Sequence, residues 1–241
     1  MKKKTRNILL SILIGAFLLC AIVGGTVYYY LFAPQFHPSK TVYVYIDRDD
    51  TTDSIYNKIR QNGHVNQFTG FLWMAKYKKL NQNIHTGRYA IRPNDNVYHV
   101  FSRLSRGYQE PINLTIGSVR TLDRLARSVG KQLMIDSAEI ARHLFDSTFQ
   151  AEMGYTPITM ACLFIPETYQ VYWDMSADEF FKRMQTEHQR FWNDERLARA
   201  TAIGMTPEEV CTLASIVEEE TNNNEEKPMV AGLYILSLIH I

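Results

Sequence analysis

Thr206 to Asn224 reads T-P-E-E-V-C-T-L-A-S-I-V-E-E-E-T-N-N-N, and its first four residues specify the start of a helix. Thr206 is an N-cap, Pro207 occupies the first helical position, and Glu209 completes a T-x-x-E capping box. At about 100° per residue from Val210, Leu213, Ala214 and Val217 fall near 300°, 40° and 340°, one apolar face. Glu218, near 80°, and Glu220, near 280°, sit on the margins of that face, whereas Glu219, near 180°, points away. A carboxyl on an apolar margin loses hydration, which favours the neutral acid and suits it to general acid work; geometry leaves Glu218 and Glu220 equivalent. An acidic run can equally be a solvated helix end. Two features weigh against that here: the acids lie where the helix dipole disfavours negative charge, and Ala214-Ser215 leave room for an approach to Glu218.

Working back from this helix, the exported half reads as mainly helical. Ser176 and Glu179 form another capping box, opening an amphipathic helix through Phe180, Phe181 and Met184 to about Trp192, and a short helix spans Glu195 to Ile203 before Gly204. Pro111–Ile116 is strand-like, followed by helices at Leu122–Leu133 and Ala138–Phe145. Gly154–Cys162 reads as a loop, after which L-F-I-P-E-T-Y-Q-V-Y-W sets Pro166, Glu167 and Tyr169 beside an apolar strand. Further toward the N-terminus, T-V-Y-V-Y-I at 41–46 is a strand, Thr52 or Asp53 caps a helix to about Asn62, Phe68–Leu80 has helical spacing, and G-R-Y-A-I at 87–91 is a strand. The order is strand, helix, helix, strand, with a further helix at Asn96–Leu104. Pro34 and Pro38 mark 34–40 as a short extended linker.

Ile8 to Ala33 contains no charged residue and, at about 1.5 Å per residue, can cross a ~30 Å hydrocarbon core. The run is too long for a cleavable signal and ends in Tyr28, Tyr29 and Tyr30, residues suited to a membrane–water boundary, so a retained single-pass anchor is expected. Lys2, Lys3, Lys4 and Arg6 place the N-terminus in the cytoplasm and everything after Pro34 outside it. Those four account for much of the balance between 26 Lys and Arg and 25 Asp and Glu; the body is slightly acidic, with no basic stripe, which argues against nucleic acid as a partner. At 46% hydrophobic and 21% charged, the chain is globular and not disordered. Cys20, Cys162 and Cys211 are too few for a disulfide framework or zinc site and read as small apolar residues. No G-x-S-x-G elbow or H-E-x-x-H occurs.

L-A-S-I-V-E-E-E-T, preceded by F-I-P-E-T-Y and the single anchor, strongly resembles the YceG-like family of endolytic murein transglycosylases, also called MltG. The βααβ unit resembles a LysM-type module, in which Trp73, Tyr77 and Tyr89 are candidates for stacking on sugars, although aromatics at such spacing are commonly core. The resemblance implies an α+β chain: tail and anchor at 1–33, linker at 34–40, LysM-like module at 41–107 and YceG-like domain at 108–241. It implies a lyase that cuts the bond between N-acetylmuramic acid and N-acetylglucosamine in nascent peptidoglycan, leaving 1,6-anhydro ends. Neither cofactor nor metal is called for, and peptidoglycan synthases are expected partners. By position in the family motif the acid/base is Glu218; Glu220, Thr221 and Ser215 are expected to support or orient substrate, and Glu167 and Tyr169 to form a cleft wall. One acid suffices because the muramyl C6 hydroxyl is an internal nucleophile, whereas hydrolysis asks for two carboxyls. Two alternatives stay open: a non-catalytic membrane-anchored glycan-binding or division scaffold, and a hydrolase pairing Glu218 with Glu220 or Glu167. After Val230–Ile235 the family runs into an Asn-Arg-Leu turn and a Q-x-D-P-T motif, where this sequence has L-S-L-I-H-I. The resemblance therefore implies an incomplete C-terminal domain, and little activity from these 241 residues alone, beside a longer parent that is an enzyme.

Overall fold

The computed structural model describes residues 2–80, 84–118 and 120–240. Helix α1 (Lys2–Leu31) contains one stretch, Leu10–Leu31, long and apolar enough to span a membrane, with a mean hydropathy of 2.4 and none of it buried in the protein. The chain then divides into two compact units, Met1–Ile112 with Tyr172–Asp174, and Asn113–Val171 with Met175–Ile241.

In the first unit, strand β1 (Val42–Ile46) pairs antiparallel with β2 (Gly87–Ile91), in the register Val44 to Tyr89 and Ile46 to Gly87. The period-2 alternation does what the composition demands: Val44 and Ile46 are buried, and Tyr43 faces outward under the Arg88 guanidinium at 3.5 Å. Between the strands run α2 (Thr52–Asn62) and α3 (Thr69–Tyr77), and α4 (Val97–Ser105) follows β2. The cap of α2 is Thr51, one residue earlier than expected, because its hydroxyl is the one that accepts from Ser54 N at 3.2 Å. Ile55, Ile59, Phe71, Val100 and Leu104 fill the core. Tyr89 belongs to that core at 1% exposure, with its hydroxyl donating to His85 O, whereas Tyr77 is exposed and Trp73 packs on Tyr30 at 5.1 Å.

The stretch 34–40, expected to be an extended linker, is in fact packed into this unit. Phe36 is fully buried, and the backbone N–H groups of Gln35 and Phe36 donate to Asp95 O at 3.0 and 3.1 Å. Asp95 is itself held by Arg92 N at 2.7 Å and by the two guanidinium nitrogens of Arg103 at 2.5 and 3.1 Å. The last turn of helix α1 joins this packing, with Leu31 against the core and Tyr30 against Trp73. Gly70 is needed beneath that turn, since a Cβ there would lie 2.2 Å from Tyr30 O. Trp173 rests on Tyr45, and Asp174 accepts from Thr86 and Gln109 at 2.8 Å each, tying 172–174 to the same unit.

The second unit pairs β3 (Ile112–Ile116) with β4 (Glu167–Val171). Around them lie α5 (Leu122–Gly130), α6 (Ser137–Phe145), α7 (Ser147–Glu152), a 3-10 turn at Met160–Leu163, α8 (Ala177–Phe191), α9 (Asp194–Ala202), α10 (Pro207–Glu220) and α11 (Lys227–His240). Both expected capping boxes, Ser176 with Glu179 and Thr206 with Glu209, are formed. Phe164 stacks on Phe180 at 6.0 Å, and Phe181 and Met184 complete a core with Leu163. Helix α7 and the 3-10 turn occupy ground that the sequence left without elements; Asp146 caps α7 through Thr148 N at 2.8 Å.

Candidate functional site

A groove of about 1060 Å³ opens in the second unit, just above the roughly 300–1,000 Å³ of small-molecule sites. Its walls come from Gly117, Ser118 and Arg120 to Leu122, the 3-10 turn with Phe164 to Pro166, the end of α8 at Phe191 and Trp192, α9 and α10. From α10 it takes Cys211, Ala214, Ser215 and Glu218, the i, i+3, i+4, i+7 stripe of one helix face, flanked by Val210 and Thr212, while Leu213 and Val217 on the neighbouring face are buried. Ala214, expected on the buried face, is thus an exposed groove residue. Its small size, with that of Ser215, leaves the floor ahead of Glu218 open.

The three consecutive glutamates go separate ways. Glu218 lines the groove and is the one carboxylate among its described lining residues; its Oε2 accepts from Lys227 Nζ at 2.5 Å. The expected desolvation is not found, for the Glu218 side chain is 48% exposed. Glu219 grips Arg120 with both oxygens, at 2.5 and 3.2 Å, and this raises the arginine pKa above its ordinary value. Glu220 is turned to α11, where Tyr234 donates to it at 2.7 Å. Thr221 closes α10 as its C-cap, accepting from Asn223 N at 3.0 Å and donating to Glu226 at 2.9 Å. Neither Glu220 nor Thr221 is among the described lining of the groove, and Ser215, which is, spends its hydroxyl proton on Thr212 O at 2.7 Å.

Neither Glu167 nor Tyr169, the anticipated cleft wall, is among the described lining of the groove, which takes Phe164, Ile165 and Pro166 from the same segment. Glu167 is exposed on β4 and accepts from the adjacent Thr168 N at 2.9 Å. Tyr169 is buried, its hydroxyl donating to Ile165 O at 2.6 Å, and burial reinforced by Glu187 and Glu167 pushes its phenol up to about 12. It supports the wall from behind. Period-2 alternation puts Glu167, Tyr169 and Val171 on one face of β4, of which Tyr169 and Val171 are buried while Glu167, at the first position of the strand, is exposed.

Sequence reasoning passed over the cationic side of the groove. Arg120, Arg196 and Arg199 all line it. Arg196 lies over the Phe191 ring at 4.2 Å and donates to Phe191 O at 2.6 Å, and Arg199 pairs with Glu195 at 2.6 Å. Cys162 and Cys211, read from the sequence as small apolar residues, also line the groove, one from the 3-10 turn and the other from α10.

Among known families, the profile of the YceG-like family matches residues 44–238. No curated protein matches the chain. Solved structures that resemble it include a yceG-like protein from Listeria monocytogenes, 21% identical, with a TM-score of 0.47 over 78% of this chain and 67% of that one. With most of its length covered by the family profile, the chain belongs to the YceG-like, or MltG, family.

Proposed function

We propose that this protein is a membrane-anchored lytic transglycosylase that cleaves the N-acetylmuramic acid–N-acetylglucosamine bond of nascent peptidoglycan strands and leaves 1,6-anhydro-muramyl ends. The observation that carries the reading is that Glu218 is the acid presented to a glycan-sized groove, with Glu219 and Glu220 each engaged elsewhere. Protonated Glu218 donates to the glycosidic oxygen as the bond to muramyl C1 breaks. The resulting carboxylate then takes the proton of the muramyl C6 hydroxyl as that oxygen closes on C1, so the acid is regenerated and no water enters. Lys227 must release Glu218 first. The pair is half-exposed, and such pairs are worth about 0–1 kcal/mol, so substrate binding can displace it.

Helix α1 would hold the protein in the cytoplasmic membrane with its basic end inside, both units lying outside where the wall is assembled. The βααβ unit is the candidate LysM-like attachment to glycan, and enzymes that polymerise the strands are the natural partners. Glu167, outside the groove lining, leaves a two-carboxylate hydrolysis without its second group there. The test is Glu218→Gln on the chromosomal gene, followed by muropeptide analysis. Fewer anhydro-muramyl ends and longer strands are expected. Unchanged ends with retained binding to isolated wall material would replace the enzyme with a glycan-binding scaffold, and loss of new reducing ends would replace it with a hydrolase.

A further inference from the structure

Cys162 sits in the 3-10 turn and Cys211 on α10, nearly fifty residues apart in sequence, yet both line the same groove. Neither is in a disulfide, and each is only half-buried because both line the groove. Cys162 Sγ donates to Glu208 O at 3.8 Å, the carbonyl of the turn of α10 just before Cys211, so the 3-10 turn meets the helix at the level of Cys211. Cys211 occupies the same helical stripe as Glu218, seven residues and about 10 Å earlier along the axis.

We propose that Cys162 and Cys211 are a dithiol site that undergoes exchange with an external disulfide of the glutathione class and closes to a reversible crosslink pinning the 3-10 turn to the helix that bears Glu218. The thiolate of Cys162 attacks one sulfur of the external disulfide, forming a mixed disulfide and expelling one thiolate. That thiolate takes the Cys211 proton. The Cys211 thiolate then attacks the Cys162 sulfur, breaking the mixed bond and expelling the second small thiolate, which takes up the proton that Cys162 gave to solvent. Two protein thiols are oxidised to one disulfide and one external disulfide is reduced to two thiols.

The local chemistry favours this order of attack. The neighbouring Cys211, with Thr212, pulls the Cys162 thiol down to about 7 against burial and the Glu208 charge, while Cys211 itself moves above its ordinary value. A thiol that ionises near ambient pH is the one suited to exchange. The inference is independent of the proposed activity, since it needs only the two sulfurs and an oxidised partner.

The test uses the full chain in detergent, incubated with glutathione disulfide. The expected product is about 2 Da lighter, yields a crosslinked peptide containing Cys162 and Cys211, and reverts with dithiothreitol. Cys20→Ser should form it equally, whereas Cys162→Ser and Cys211→Ser should not. In the oxidised chain, amide exchange across Pro207–Glu220 should slow at least several-fold, with no change over Val97–Ser105. A stable glutathione adduct that never proceeds to the crosslink, or absence of any thiol loss, would overturn the site. A crosslink that leaves exchange in the helix unchanged would overturn the pinning.

Discussion

Replacing Asp95 by Asn tests how firmly the residues after the membrane helix are held. Asp95 is 7% exposed and its carboxylate takes three hydrogen bonds, from Arg92 N and from both terminal nitrogens of Arg103. An amide supplies one acceptor oxygen where the carboxylate supplies two, so one nitrogen would face another nitrogen across a short contact. Arg103 would also lose its counter-charge while its side chain is only 19% exposed. Removing one member of a buried pair costs about 3–5 kcal/mol; Arg103 keeps its bond to Ala90 O at 3.0 Å, which sets the expectation at the low end, about 3 kcal/mol. For a unit of this size that is roughly 10–15 °C in midpoint. The measurement is a near-UV circular dichroism melt of the purified chain, with limited proteolysis of 34–40 as a local readout, since the Asp95 carbonyl holds Gln35 and Phe36. Asp95→Leu with Arg103→Met should recover most of the loss. A shift under about 1 kcal/mol, the range of surface pairs, would refute the claim that this pair is buried and structural.

Glu219→Gln should leave anhydro-muramyl ends near wild-type levels in cells, in contrast to Glu218→Gln, because its carboxylate is committed to Arg120; equal loss in both would remove the distinction drawn between them. Gly70→Ala would force the added methyl against Tyr30 O and should destabilise the first unit by about 1–3 kcal/mol in the same melt. Burial lowers the His188 pKa below 6.5, with Glu208 opposing, so below pH about 6.5 the unfolded chain binds a proton that the folded chain resists. His188 therefore withdraws stability as pH falls through that window and contributes none of this dependence above it. The difference in melting midpoint between wild type and His188→Gln should change with pH below about 6.5 and be flat above.

Features decided within four residues were legible in the sequence. The capping boxes at Ser176 and Thr206 and the β-branched, aromatic strand β1 each depend on near neighbours, and each is formed as read. The one-residue displacement at Thr51 arose because three adjacent residues can all cap and only backbone direction chooses among them. What was not legible came from distant partners. Pro34 and Pro38 gave 34–40 the look of a linker, but Asp95 and the bridge of Phe36 to Val65 draw it into the core. The helical wheel could not separate Glu218 from Glu220, because the choice depends on Tyr234, Lys227 and the groove wall from other elements. Cys162 and Cys211 have no shared local pattern at all. Tyr169 was readable in principle, had strand alternation been followed past Pro166.

With α1 in a bilayer as proposed, the docking of Tyr30 on Trp73 over Gly70 would have a mechanical meaning. A flexible leash would let the first unit sweep a hemisphere above the lipid. A helix that enters its own globular body without slack behaves as a rigid post, fixing the height and tilt of that body, so that lengthening the stem by one helical turn would lift it about 5 Å and rotate it as well.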